Sequence, residues 1–399
     1  MRTLAFAQML SGAGLAAGVT VGALLAEDML DSTSFSGLPS ALFTGGAAGT
    51  ALLVGRLSQR SGRRAGLAAG YATGALGGVG IVLAAVLDNV PLLLLSLFVY
   101  GAGSATNLQA RYAGADLADP SHRGRAVSTV LLATTIGAVA GPNLVDVMGH
   151  IAEQLSIPRL AGPFLLASAA YATAAVILQL RLRPDPLLVA RSLAAEPAPP
   201  STEDAPPTVA PVPNGLPLAA AAMVLTQVVM VAVMTMTPIH MRDHGHGLGA
   251  TGFVIAVHIA FMYLPSPLTG MLSDRVGRRP VIAAGGLVLL LAGLVAAAAP
   301  ADSMVLLTVA LALLGLGWNL GLIGGTALLT DSTPLATRAR TQGAVDLSVS
   351  LAGAAGGLTS GLVVAATSYA TLGLLGGALA LLILPLLLRT ARPRPVLST

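Results

Sequence analysis

Long apolar runs separated by short polar segments recur along the chain, at about 3–26, 37–57, 65–87, 91–112, 125–148, 161–181, 216–240, 249–271, 281–299, 303–329, 339–365 and 369–388. About 20 apolar residues in a helix cross a hydrocarbon core, so each run predicts one transmembrane helix. The pattern changes between 182 and 214, where Pro197, Pro199, Pro200, Pro206, Pro207, Pro211 and Pro213 stand among Ala and Glu. That stretch reads as a flexible linker dividing the spans six and six. The expected fold is an all-α polytopic membrane protein: twelve transmembrane helices in two pseudo-symmetric six-helix bundles, 1–181 and 215–399, the second with a short tail.

Composition excludes the main alternatives. Of 399 residues, 55% are hydrophobic and 10% charged, with a mean hydropathy of +0.82, more than a water-soluble domain can bury. The 47 glycines suit close helix packing in lipid, and the absence of cysteine rules out disulfides and thiolate metal sites. The first run is too long for a signal peptide and lacks a convincing cleavage site, so it reads as a span. All 21 basic residues are arginine. With the N-terminus inside, only Arg159 and Arg242 fall on outer segments, so both termini and the linker are expected in the cytoplasm. The net charge of +4 therefore marks topology and does not imply a nucleic-acid partner.

The two halves repeat. Gly55-Arg56-Leu57-Ser58-Gln59-Arg60-Ser61-Gly62-Arg63-Arg64 returns 215 residues later as Gly270-Met271-Leu272-Ser273-Asp274-Arg275-Val276-Gly277-Arg278-Arg279, and Arg123-Gly124-Arg125 returns as Arg338-Ala339-Arg340. Duplicated halves around a midplane site are a secondary-transporter arrangement. On these residues the chain resembles the major facilitator superfamily over its whole length. The superfamily's loop signature G-x-L-x-D-R-x-G-R-R/K matches both decapeptides. The resemblance implies gating roles for Gly55, Gln59, Arg60, Gly62 and Arg63, and for Gly270, Asp274, Arg275, Gly277 and Arg278. Gln59 departs from the pattern, which places Asp there; it keeps hydrogen bonding but brings no charge to the helix N-terminus such a carboxylate faces. Gly137-Ala138-Val139-Ala140-Gly141-Pro142 is similar to a glycine-proline motif of the superfamily.

Two four-residue spacings carry the candidate chemistry, Met230-x-x-x-Met234 and His258-x-x-x-Met262. Residues four apart share a helix face, and residue 246, within the polar turn Arg242 to Gly247, is the midpoint both of Met230 and Met262 and of Met234 and His258. In two antiparallel helices Met230 would lie level with Met262, and Met234 with His258. Three thioethers and one imidazole would then form a shell for a soft cation, with Cu(I) the first candidate and Ni(II) or Co(II) weaker ones. A plainer reading stands beside it, with the methionines filling core gaps and His258 bonded to a neighbouring helix. Met236, His240, Met241, His244 and His246 cluster at the outer end of this hairpin, where they could collect the ion, or else form an ordinary solvated turn.

The two spacings also resemble the CcoA-type copper importers within the superfamily, marked by Met-x-x-x-Met in the seventh span and His-x-x-x-Met in the eighth. That resemblance implies a monomer in a bacterial inner membrane importing copper by alternating access for assembly of cbb3-type cytochrome oxidase, with a cytoplasmic or periplasmic copper carrier as partner and no cofactor. The competing reading is a proton-coupled carrier of organic solutes, riboflavin-like or drug-like, in which the Met and His positions are structural.

Other polar residues within spans are Asn107, Gln109, Asn143, Gln227, Trp318 and Asn319, read first as helix–helix hydrogen-bonding groups. Asp346 could take part in proton coupling, but its nearness to Arg338 and Arg340 makes a structural ion pair the first expectation, while Arg111, Asp116 and Asp119 mark the inner end of the fourth span. No nucleophile–base pair or phosphate loop points to catalysis, so a non-enzymatic carrier is expected.

Overall fold

The structure, a computed structural model, describes residues 1–30, 38–196 and 214–391. The α-helices in these residues are α1 (Arg2–Leu30), α2 (Leu38–Ser61), α3 (Arg63–Val86), α4 (Val90–Ala115), α5 (Arg123–Asn143), α6 (Val145–Gln154), α7 (Gly162–Arg181), α8 (Pro186–Ala195), α9 (Gly215–Asp243), α10 (Leu248–Tyr263), α11 (Ser266–Val276), α12 (Arg278–Ala298), α13 (Met304–Asp331), α14 (Arg338–Ala366), α15 (Tyr369–Leu381) and α16 (Ile383–Ala391). No strand occurs among the described residues. Nine helical stretches among them are long and apolar enough to cross a membrane. Helices α1, α2 and α5, of 29, 24 and 21 residues, stand at the other three expected spans.

Burial is distributed as a lipid solvent demands. Leu76, Leu268, Leu358 and Leu362 are about 70% exposed, while Gln8, Arg63, Arg111, His258 and Gln342 are fully buried. Apolar side chains outside and hydrogen-bonded polar groups inside fit a surrounding hydrocarbon phase.

Local chemistry explains where the helices begin and break. Asn89 caps α4 by accepting from the Leu92 amide at 2.9 Å, with Pro91 at a first-turn position that needs no N–H. The turns after α2 and α11 pass through Gly62 at φ 90° and Gly277 at φ 98°, a region only glycine enters without strain. The run 249–271 is interrupted: α10 ends at Tyr263 and α11 starts at Ser266, because Pro265 has no N–H to continue the ladder. The segment expected to be flexible linker is in part helical, since Asp185 accepts from Leu187 and Leu188 amides and Pro186 opens α8. The proline-rich stretch 197–213 lies outside the described residues, as do 31–37 and 392–399.

Two compact units form: Met1–Asp119, Thr129–Val209 and Pro334–Leu351 in one, Pro120–Ser128, Ala210–Thr333 and Ala352–Thr399 in the other. The first is centred on Tyr71, Tyr100, Phe164 and Tyr171, whose ring centroids lie 5.4–5.7 Å apart. The second is built around α13, which is buried without interruption from Gly317 to Thr330 and carries α9, α10 and α12 on its faces.

Candidate functional site

Each repeated loop delivers one side chain to a helix N-terminus. Asp274 accepts from the Gly124 and Arg125 amides at 2.9 and 3.0 Å, at the start of α5. Gln59 accepts from the Ala339 and Arg340 amides at 2.8 and 3.3 Å, at the start of α14. Unlike a carboxylate, Gln59 also donates, to the carbonyls of Ala336 and Leu335 at 2.6 and 3.3 Å. The amide thus answers both the orphan N–H groups and the carbonyls of the preceding turn. The opening glycines allow the close approach. A Cβ on Gly55 would lie 2.8 Å from Gly343 Cα, and one on Gly270 2.6 Å from the Gly124 carbonyl. Arg60 and Arg275 are exposed. Replacing Asp274 with Ala is expected to cost about 1–2 kcal/mol, the scale of a lost cap. Thermal unfolding of the purified protein measures it, and an unshifted midpoint would count against the capping role.

The offset of 215 residues also relates two ion pairs the sequence reading missed. Arg63 meets Asp116 at 2.7 Å, and Arg278 meets Asp331 at 3.1 Å. Arg278 also holds Asp274 at 2.7 Å, and Asp331 receives Arg123 at 2.5 Å. Asp116 and Asp331 occupy equivalent places in the repeat, so extending the register beyond the loop motif would have found them. Asp346 pairs with Arg111 at 2.6 Å, and not with Arg338 or Arg340 as expected. Its Oδ1 also accepts from the Tyr112 hydroxyl at 3.0 Å, while Oδ2 has no partner. Sequence proximity misleads here, because Asp346 lies two turns into α14 and its neighbour comes from α4.

Most polar span residues join helices. Gln109 bonds the Ala51 carbonyl, Asn107 the Ser11 hydroxyl, and Trp318 Nε1 donates to Gln227 at 2.8 Å. The Asn143 side chain lies outside the described set. Asn319 does more: its amide donates to the Met262 carbonyl at 2.7 Å and to Ser266 Oγ at 2.8 Å, and its oxygen accepts from Thr269 at 2.6 Å. It bridges the α10–α11 break from α13, bonding the Met262 carbonyl before Pro265 and the Ser266 and Thr269 hydroxyls after it.

His258 sits on α10 just before that break and is fully buried. Its Nδ1 lies 2.9 Å from the Leu311 carbonyl of α13. A carbonyl only accepts, so Nδ1 carries the proton and Nε2 presents a lone pair. That Nε2 is buried and has no partner. Gly315 makes the seat, since a Cβ there would lie 2.5 Å from the His258 carbonyl and 3.1 Å from the Met262 amide. Met230 and Met262 are buried and Met234 is half-buried. Along α13, Gly325 lies against Met223 and Gly321 against Thr226. Continuing this register one turn sets Met230 near the height of residues 317–318, and Met262 lies against Gly315 and Asn319. Helix α10 packs chiefly on α13 and touches α9 only lightly, so the two spacings share α13 instead of facing each other as an isolated hairpin. Beside them, the Tyr263 and Trp318 rings meet edge to face at 5.8 Å.

The turn following α9 separates its expected cluster. Met236 and Met241 are buried, and His246 Nε2 is bonded to the Ala301 carbonyl at 3.1 Å. The His240 and His244 rings lie together, centroids 4.4 Å apart. Among the described residues no group of three or more His, Cys, Asp or Glu side chains is placed to hold a metal ion.

Comparison with known proteins adds the following. The family model described as Major Facilitator Superfamily matches residues 4–263 and 218–399. The chain is 57% identical to the uncharacterised MFS-type transporter YdeG of Bacillus subtilis (strain 168), over 96% of this chain and 89% of that protein. It is 30% identical to the riboflavin transporter RfnT of Brucella anthropi, over 97% of this chain and 94% of that protein. In structure it is similar to the human organic anion transporter MFSD10, with a TM-score of 0.74 at 16% identity over 97% of this chain and 98% of that one. The transporter FucP in its outward conformation gives 0.71 at 17% identity, over 98% of each chain.

Proposed function

Because the chain belongs to the Major Facilitator Superfamily, and so to a family of membrane transporters, we propose that it carries a small organic solute of the riboflavin type by alternating access, with His258 as a cargo contact. The observation that carries this reading is the bare His258 Nε2, a buried acceptor beside an interrupted span. Discontinuous helices are where such carriers build their binding sites. A buried acceptor without a partner is costly, so it suits a cargo that brings an N–H or O–H, as a flavin's imide and hydroxyl groups do. The Tyr263–Trp318 pair adds flat aromatic surface within reach of the same break.

A second reading is favoured by the same nitrogen. A histidine that donates Nδ1–H to a backbone carbonyl and offers Nε2 has the form metal-binding histidines take. Met262 one turn on, with Met230 and Met234 on α9, supplies soft donors for Cu(I). The C-terminal end of α10 carries the negative end of its dipole, which favours a cation.

One experiment separates the readings: uptake of radiolabelled riboflavin and of radioactive copper by cells carrying wild type, His258→Ala, or the triple variant Met230→Leu, Met234→Leu, Met262→Leu. The first reading expects riboflavin uptake to fall about tenfold or more in His258→Ala, to persist in the triple variant, and copper uptake to stay at background. The second expects copper uptake that both variants abolish. Wild-type uptake of either cargo unchanged by His258→Ala would remove His258 from the site.

A further inference from the structure

The last turn of α9 and its C-cap residue bring two imidazoles together. His240 and His244 are one helical turn apart, with ring centroids 4.4 Å apart and planes tilted by 50°. Neither ring is loosely held. His244 Nδ1 lies 2.8 Å from the His240 carbonyl, so it donates there, caps the helix end and leaves Nε2 as its lone-pair nitrogen. His240 is stacked on Tyr369 of α15, with centroids 4.3 Å apart and planes 11° apart. The Tyr369 hydroxyl is in turn bonded to Thr237 Oγ1 at 2.8 Å, which fixes the plate that supports His240.

We propose that His240 and His244 form a binding site for one divalent transition-metal ion. Two histidines spaced i, i+4 on a helix present their ring nitrogens to a common point. The end of α9 is the negative end of its dipole, so a cation is favoured there. Imidazole ligands select borderline ions such as Cu²⁺, Ni²⁺ and Zn²⁺ over Mg²⁺ or Ca²⁺, and water completes the shell. Asp243 is engaged with Arg242 at 3.8 Å and is not counted as a ligand. His246, turned to the Ala301 carbonyl, is outside the site. A bound ion would lock His240 against Tyr369 and so join the ends of α9 and α15. The proposal rests on neither cargo reading, since it uses none of Met230, Met234, His258 or Met262.

The test is Cu²⁺ titration of the full chain, purified in detergent without a polyhistidine tag and followed by electron paramagnetic resonance. The expected result is one Cu²⁺ with hyperfine coupling to two imidazole nitrogens. His240→Ala and His244→Ala should each weaken binding about tenfold or more, since even groups behind a ligand are worth that much. His246→Ala should leave the signal unchanged. Absence of a two-nitrogen signal, or a double variant His240→Ala, His244→Ala that binds as wild type does, overturns the proposal. Size-exclusion profiles identical to wild type keep misfolding from imitating a lost site.

Discussion

Arg111→Ala is expected to remove about 3–5 kcal/mol of stability, because it strands a buried carboxylate. Both partners of the pair are essentially inaccessible, with side-chain exposures of 0% for Arg111 and 2% for Asp346. The guanidinium also lies over the Tyr112 ring, 4.2 Å from its centroid, and donates to the Tyr112 hydroxyl at 2.8 Å. Deleting the cation therefore leaves Asp346 with one neutral donor and an already unpartnered Oδ2. The double variant Arg111→Ala, Asp346→Ala removes both charges and should lose less than Arg111→Ala alone. Thermal unfolding of detergent-purified variants gives the cycle. Additive losses would mean the two groups do not interact, contrary to their 2.6 Å separation.

The second large effect is expected at a residue with no side chain. Gly315→Ala places a methyl 2.5 Å from the His258 carbonyl and 3.1 Å from the Met262 amide, both backbone atoms that cannot swing aside. Overpacking of this kind costs about 1–3 kcal/mol. It also pushes α10 from α13, taking Nδ1 from the Leu311 carbonyl and releasing the tautomer that leaves Nε2 bare. If His258 contacts the cargo as proposed, uptake should fall about tenfold, on the scale of a hydrogen bond lost from the site. Gly361→Ala is the control, since its nearest neighbour would be Met236 Cε at 3.9 Å, an ordinary contact. Equal behaviour of the two variants would show that Gly315 holds nothing in place.

Much of the fold was legible because hydrocarbon imposes one rule on every span. Run length and arginine-rich breaks located the helices, and the 215-residue repeat located Gln59 and Asp274 at matching loops. The breaks within runs were harder to see. Pro265 sits in continuous apolar sequence, and only Asn319, on another helix, reveals how the interruption is satisfied. Burial of His258 followed from its position in a span, but its half-satisfied state depends on a carbonyl 53 residues away. Pairings across helices, such as Arg111 with Asp346, have no local signature. Chemistry within one turn could be read; chemistry between elements distant in sequence could not.

The clamp at Pro265 has a consequence for motion. An intact helix bends only by giving up backbone bonds, and in hydrocarbon each loss is expensive. Here the surrender has already occurred at the α10–α11 junction, and Asn319 side-chain atoms hold the loose ends. A change of angle at this junction would therefore exchange side-chain contacts of Asn319 in place of melting a turn. On the proposed reading of His258 as a cargo contact, loading and unloading would then proceed without local unfolding.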